Sequence, residues 1–392
     1  MAIKQCLGII TCLLSASLAF PQQKLSGKVL DAGSGSPLAS ISVYLNNTSI
    51  GTTTTANGEF FLGHIPPAKY KLIVSGISFK TFSTIIDTHD SIAYMTIELT
   101  RTADLLKGTE INPPDPNGWS KWGQLFTNLF VGTSPHADEC RILNHEVLKF
   151  RMNDDNTLSI YAEKPLQLHN AALGYDITYK IEDFTFDFSA SVVAYSGSVL
   201  FKDLSLARSG SKALSWRQNR FTAYNGSLLH FMRSLYVNRL AAEGFEMHSL
   251  AKVFNRDKQR AKQLFAKQAK ILDSTDYFKK VLMQPDSIIS HQLVPEDSVA
   301  FAEDSMIAGF YFPDSLEVSY KLKEIPAAYR RLSPETRKET YPVSQFVFVN
   351  KAPIYVLGNG FHYGPNDLKI TGYWAWSETI ATLLPYDYEP GQ

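Results

Sequence analysis

The sequence predicts a mainly β protein. A seven-stranded sandwich comes first, followed by a β-rich α+β region with inserted helices. Three observations carry this expectation. Short runs rich in Val, Ile, Thr, Tyr and Phe recur between residues 24 and 100, separated by turn residues. A proline cluster, Asn112-Pro-Pro-Asp-Pro-Asn-Gly118, then interrupts the chain. Beyond it, strand-period and helix-period segments alternate. The 392 residues are 44% hydrophobic and 12% aromatic, which is enough apolar material for more than one core. Lys+Arg and Asp+Glu both number 38, so no charge excess points to nucleic acid or to anionic membranes.

Residues 1–20 read as a secretory signal. Lys4 supplies a charged n-region, Leu7 to Leu14 an apolar h-region, and Ser17-Leu18-Ala19 the small residues of a cleavage site. The apolar run is too short to span a bilayer, and no later run is long enough. The expected location is outside the cytoplasm: periplasm, outer-membrane surface or extracellular space. An alternative leader, a lipoprotein acylated at Cys12, would have Thr11 at a poor position for that processing. Cys6 and Cys12 leave with the leader, so Cys140 remains without a disulfide partner. A thiolate there would need His136 or His145 beside it. The simpler role is a small buried hydrophobe.

The first module, residues 21–101, has seven expected strands: 25–31, 41–45, 48–55, 59–62, 70–75, 80–86 and 93–99. Asn57-Gly58 is its strongest hairpin signal, because both residues tolerate positive φ. The module also resembles a known family. Gly27-Lys-Val29-Leu-Asp31, Gly35-Ser-Pro37-Leu38 and Val43-Tyr-Leu45 carry the resemblance. So do Gly51-Thr-Thr-Thr-Thr-Ala-Asn57-Gly58-Glu-Phe60-Phe-Leu62, Ile65-Pro66 and Tyr70-Lys-Leu72-Ile-Val74-Ser75-Gly76. They are similar to the carboxypeptidase regulatory-like domain, a transthyretin-like sandwich. Thr55-Ala56 departs from the acidic residue usual before its Asn-Gly. The resemblance implies an exported Bacteroidetes protein and a docking module without peptidase activity of its own.

Residues 102–118 read as a Pro-rich linker and 119–392 as one β-rich domain. Trp119, Trp122, Leu125, Phe126 and Leu129 recur at helical spacing. Strands are expected at 147–152, 157–162, 175–181, 184–188 and 192–195, with Asn153–Asn156 as a hairpin turn. Helices are expected near 215–243 and 256–272, and strands again at 346–349, 354–357 and 368–374. Trp119-Ser-Lys-Trp-Gly, Cys140-Arg-Ile-Leu-Asn144, Ala172-Leu-Gly174-Tyr175, Arg220 to Leu235 and Gly372-Tyr-Trp374 resemble a Bacteroidetes family found behind regulatory-like modules. That resemblance implies an architecture and no activity.

Candidate chemistry is sparse. His136-Ala-Asp-Glu139 is an H-x-x-E, and His248 is a conceivable third zinc ligand. About 0.4 such matches arise by chance in this composition, and no substrate-binding arginine or glutamate base accompanies it. The expectation is therefore no catalytic residue, no metal and no cofactor. Arg217, Arg220, Arg233 and Arg239 cluster on one helical segment, as anion ligands or as structural ion pairs. Residues 251–270 are basic and 284–320 acidic, so the two blocks suit one another. The acidic block repeats Asp-Ser-apolar, a pattern similar to an O-glycosylation signal of exported Bacteroidetes proteins, with Ser287, Ser298, Ser305 and Ser315 as acceptors. Asp90-Ser91 and Asp273-Ser274 also fit. Turn and cap chemistry is the alternative reading. Phe361, His362 and Tyr363, beside glycine turns, form the candidate binding surface.

The expected function is a non-catalytic envelope protein: a docking sandwich plus a domain that binds a partner or ligand. The expected partner is an envelope or outer-membrane protein, or a glycan, and not nucleic acid. A glycan-binding protein or an accessory to TonB-linked transport is the alternative. A zinc carboxypeptidase-type hydrolase is the third reading.

Overall fold

The computed structural model describes residues 23–89, 92–102, 113–272, 276–289, 291–334, 336–337, 339–364 and 368–391. The leader, most of the Pro-rich linker, Asp90-Ser91 and Asp273-Ser274 lie outside them. The protein is mainly β, with helices in its later part.

The sandwich has its seven strands. β4 (Glu59–Ile65), β1 (Gln23–Asp31) and β7 (Met95–Leu99) form one sheet, with β1 and β7 parallel. β3 (Gly51–Thr53), β2 (Ser42–Leu45), β5 (Lys69–Ser75) and β6 (Phe82–Asp87) form the other. Alternation along β1 turns Leu25 and Val29 inward onto Val43, Leu45, Phe60, Leu72 and Val74. Asn57-Gly58 corrects one expectation. Its turn joins β3 to β4, which belong to different sheets, so it is a corner between layers and not a hairpin. Gly58 has φ +76°, its carbonyl accepts from Val29 N–H at 2.8 Å, and a Cβ there would sit 2.6 Å from the Val29 carbonyl oxygen. Glycine is required by both conformation and closeness.

Residues 119–392 enclose two hydrophobic cores. The first lies under a six-stranded sheet of β8 (Cys140–Ile142), β9 (Leu148–Met152), β10 (Thr157–Ala162), β11 (Leu166–Asn170), β12 (Tyr175–Asp187) and β13 (Val192–Asp203). The two strands expected at 175–181 and 184–188 are one long strand with an irregularity between Ile181 and Asp183. Helix α1 (Gly118–Phe130) turns Phe126 and Phe130 onto this sheet. The linker ends in a fixed turn, where Asp115 N–H donates to the Phe150 carbonyl and Asp115 Oδ2 pairs with Lys121.

The long helix expected over 215–243 is two helices. α2 (Ser211–Tyr224) stops at Asn225-Gly226, where Gly226 has φ +75° and a Cβ would meet the Tyr320 ring at 2.4 Å. α3 (Leu228–Tyr236) starts afresh with Ser227 accepting from His230 N–H. Sequence periodicity ran through the break because both helices bury apolar faces.

α3 opens the second core. Its Phe231, Met232 and Leu235 pack against two more sheets. One orders β17 (Gln292–Leu293), β14 (Phe245–Ser249), β20 (Leu316–Tyr320), β21 (Val343–Phe348) and β24 (Leu368–Gly372). The other orders β18 (Ala300–Ala302), β19 (Ile307–Phe310), β22 (Ile354–Leu357) and β23 (His362–Tyr363). The strands between 287 and 320 were not expected from the acidic block. Tyr373 and Trp374, expected in a strand, open a short helix, α6 (Tyr373–Ser377), and are buried. Ile380, Ala381, Leu384 and Tyr388 then return to the first core. The second core is therefore an insertion within the unit that holds the first.

Between β14 and β17 the chain makes an excursion, called the arm below. β15 (Lys252–Phe254) pairs with β16 (Ser287–Ile289) at its base, and α4 (Arg256–Leu272) packs on α5 (Asp276–Met283). The basic and acidic blocks do meet here: Asp286 pairs with Lys258 at 3.1 Å and Lys262 at 2.9 Å.

Candidate functional site

The sandwich is docked onto the body along the β2–β3 loop. Asn47 N–H donates to the Val199 carbonyl at 2.8 Å, and Phe201 N–H donates to the Thr48 carbonyl at 2.9 Å. Val199 N–H donates to Asn46 Oδ1, and Tyr44 Oη to Ser198 Oγ at 2.9 Å. The loop thus extends β13 by a parallel bridge between Thr48 and Leu200. From the other side, Tyr386 N–H donates to the Asn47 carbonyl, and Asp387 accepts from Ser49 N–H and Oγ.

Where these elements meet α2, a cleft of ≈ 440 Å³ opens, lined by Ser49, Asp203, Arg208, Arg217, Asp387 and Tyr388, among others. Arg220 closes its floor. Its guanidinium holds Asp203 bidentately at 2.8 and 2.9 Å, donates to the Leu173 and Gly174 carbonyls, and lies 3.9 Å over the Tyr175 ring. Burial alone would lift the Asp203 carboxyl. The Arg220 and Ser205 hydrogen bonds outweigh it, so the group lies below its ordinary value. Asp387 goes the other way: burial raises it despite the bonds from Ser49. Arg233 donates to the Asn359, Tyr386 and Tyr388 carbonyls, and Arg239 pairs with Glu243. Of the four arginines singled out in sequence, three are thus engaged. Arg217 is exposed, and neither its guanidinium nor that of Arg208 has a hydrogen-bond or ion-pair partner among the described residues. Arg208 was missed in sequence because it sits before α2, outside the helical cluster.

A smaller cavity of ≈ 110 Å³ lies between the two body cores, lined by Ser134, His136, Lys323, Trp376, Ser377 and Glu378, among others. Its charges cap helices. Lys323 Nζ donates to the Thr222 and Asn225 carbonyls at the end of α2. Glu378 Oε1 accepts from Leu228 N–H at the start of α3. Burial pushes Glu378 up to about 7, against the lowering pull of Leu228 N–H and the Lys323 ammonium. Burial also lowers Lys323 and His136. Ser134 Oγ and Ser377 Oγ are buried there without a partner among the described residues. Neither Lys323 nor Glu378 carried a signal in sequence, because helix ends that meet in space are distant along the chain.

The other sequence candidates fall as follows. His136 lines the cavity and precedes a short 3-10 turn, Ala137–Glu139, of which Glu139 is the last residue. His248 stands on β14, grouped with His291 and Glu317 and not with the H-x-x-E. Cys140 is buried in the first core, which pushes its thiol up to about 12 and removes it as a nucleophile at neutral pH. Ser298 and Ser305 are exposed, and Ser315 is half-buried. Ser298 Oγ donates to the Pro295 carbonyl, and Asp304 accepts from Met306 N–H, as turn chemistry requires. Ser287 opens β16. Phe361, His362 and Tyr363 are half-buried. Phe361 packs on Tyr363 and Tyr386, and burial lowers His362. Among the described residues, no helix is long and apolar enough to cross a membrane.

Residues 25–109 match the CarboxypepD_reg-like domain. No curated protein matches the chain. Among solved structures it is similar to BcpA, the major pilin subunit of Bacillus cereus, at 11% identity over 20% of this chain and 30% of that one, with a TM-score of 0.18. It is also similar to a cohesin–X-dockerin complex from Acetivibrio cellulolyticus, at 20% identity over 21% and 53%, with a TM-score of 0.15. A third match is a candidate carbohydrate-binding protein from Bacteroides uniformis ATCC 8492, at 13% identity over 46% and 79%, with a TM-score of 0.18. The chain spans less than two thirds of the first two. At these TM-scores none of the three decides the fold or the function.

Proposed function

We propose that the protein is an exported, non-catalytic binding protein of the cell envelope, and that the cleft between sandwich, β13 and α2 holds an acidic saccharide. The observation that carries this reading is the pair Arg208 and Arg217, lining a concave site at a module junction with no side-chain partner among the described residues. Planar guanidinium groups suit carboxylate or sulfate, and Leu206, Ala213 and Tyr388 supply apolar wall for a sugar ring. The two charged groups of the inner cavity, Lys323 and Glu378, are accounted for by helix capping, which supports a binding role over catalysis. The leader pattern of residues 1–20 supports export. The β2–β3 loop is used within the chain, so a partner protein would have to meet another face of the sandwich. The β4 edge with exposed Phe61 is one such face.

The test is retention on arrayed oligogalacturonate and sulfated glycans, against neutral glycans of equal length. The wild type should be retained by the acidic set and released by salt. Retention should be lost in Arg208→Ala/Arg217→Ala. Equal retention of the neutral set, or of the double variant, would overturn the reading.

A further inference from the structure

We propose that His248, His291 and Glu317 form a site for a zinc-type divalent metal ion that clips shut the neck of the arm. The sheet places all three. Phe245 and Met247 of β14 are buried, so His248 projects from the opposite face. His248 pairs directly across to Glu317 of β20, where Leu316 and Val318 are the buried neighbours. His291 leads into β17, which pairs with β14 at Gln292–Ser249 and Leu293–His248. One ligand atom from each residue lies within 4.8 Å of the other two. The imidazole rings are parallel, with centroids 4.1 Å apart, and His291 Nε2 is 2.7 Å from Glu317 Oε1. Tetrahedral zinc with bonds of about 2.0–2.2 Å needs donors roughly 3.4 Å apart, so binding draws the group together and turns the stacked rings until both nitrogen lone pairs meet at the ion. Two imidazoles and one carboxylate suit zinc and its neighbours better than magnesium or calcium, which prefer all-oxygen sites.

Two surrounding carboxylates fit the same reading. Glu246 Oε1 lies 3.6 Å from His248 Nε2 and is itself held by Lys321 at 3.0 Å, adding negative charge beside the group. Glu339 stands near Glu317, and its buried Oε2 has no hydrogen-bond partner among the described residues. The position also gives the metal a task. The chain leaves the sheet just after His248 and returns just before Gln292, so a bond between the two histidines closes the arm at its base.

The purified full chain, stripped with EDTA, is incubated with zinc and passed through gel filtration. One zinc ion per chain should be retained, and the melting temperature should rise with zinc. Cobalt in its place should give visible d–d absorption. His291 is exposed, so His291→Ala preserves the fold and should abolish retention, the cobalt spectrum and the zinc-dependent shift. His248→Gln should do the same, and His136→Ala should leave all three intact. A chain that retains no zinc, or a His291→Ala variant that keeps it, would overturn the proposal. The outcome is independent of the cleft, whose arginines take no part.

Discussion

The sandwich and the arm are both attached to the body, in opposite ways. The sandwich inserts a loop between β13 and the C-terminal segment, and main-chain bonds run from it to both. The arm leaves β14 and returns to β17; its short paired strands and its ion pairs at Asp286, which is largely exposed, join parts of the arm to one another. The difference teaches where attachment strength comes from. Buried bonds to a backbone that is already ordered hold a module. Exposed ion pairs, screened by water, do not.

Substitutions can test this ordering. The largest effect belongs to Arg220, which fixes the end of the strand that receives the sandwich. Arg220→Met leaves Asp203 half-buried and unpaired, and should cost about 3–5 kcal/mol in urea unfolding. Asp203→Asn in the same chain should recover part of the loss. Next comes Glu378, in the joint between the two body cores. Its carboxyl lies near 7 in the folded chain, against 4.5 ordinarily. Between those values the folded state keeps a proton that the unfolded state gives up. Stability is therefore full below the ordinary value and falls as pH rises to about 7, by on the order of 3 kcal/mol. In Glu378→Gln that slope should vanish when unfolding midpoints at about pH 5 and about pH 8 are compared. Tyr44→Phe removes one bond of the sandwich joint and should cost about 1 kcal/mol. Asp286→Asn should leave the midpoint unchanged within error. A large effect there would show that exposed ion pairs hold the arm's own elements together, against this ordering.

What was legible in the sequence follows the same division. Strands of the sandwich and of 147–162 were readable because alternation and turn residues are local signals. α4 was readable from its own period. Features set by distant pairing were not. Asn57-Gly58 carries the same local signal in a hairpin and in a corner between sheets; the partner strands decide which. The break at Gly226 is fixed by the Tyr320 ring, and the role of Arg220 by Asp203 on another element. His248 was noticed as a ligand type, but it was grouped with His136 and Glu139. Strand register, which sequence spacing cannot show, gives it His291 and Glu317 instead.

The return of Ile380, Ala381, Leu384 and Tyr388 to the first core sets an order of assembly. Synthesis delivers residues 126–201 early, yet the part of their core that Ile380, Ala381, Leu384 and Tyr388 complete stays open until those residues emerge. The inserted unit has all its core residues by 374 and can close before its host. The host therefore stays incomplete until residues 380–388 arrive, an interval in which a newly made chain is exposed to aggregation. A fusion or tag that delays the last segment would lengthen that wait without touching any residue of the finished fold.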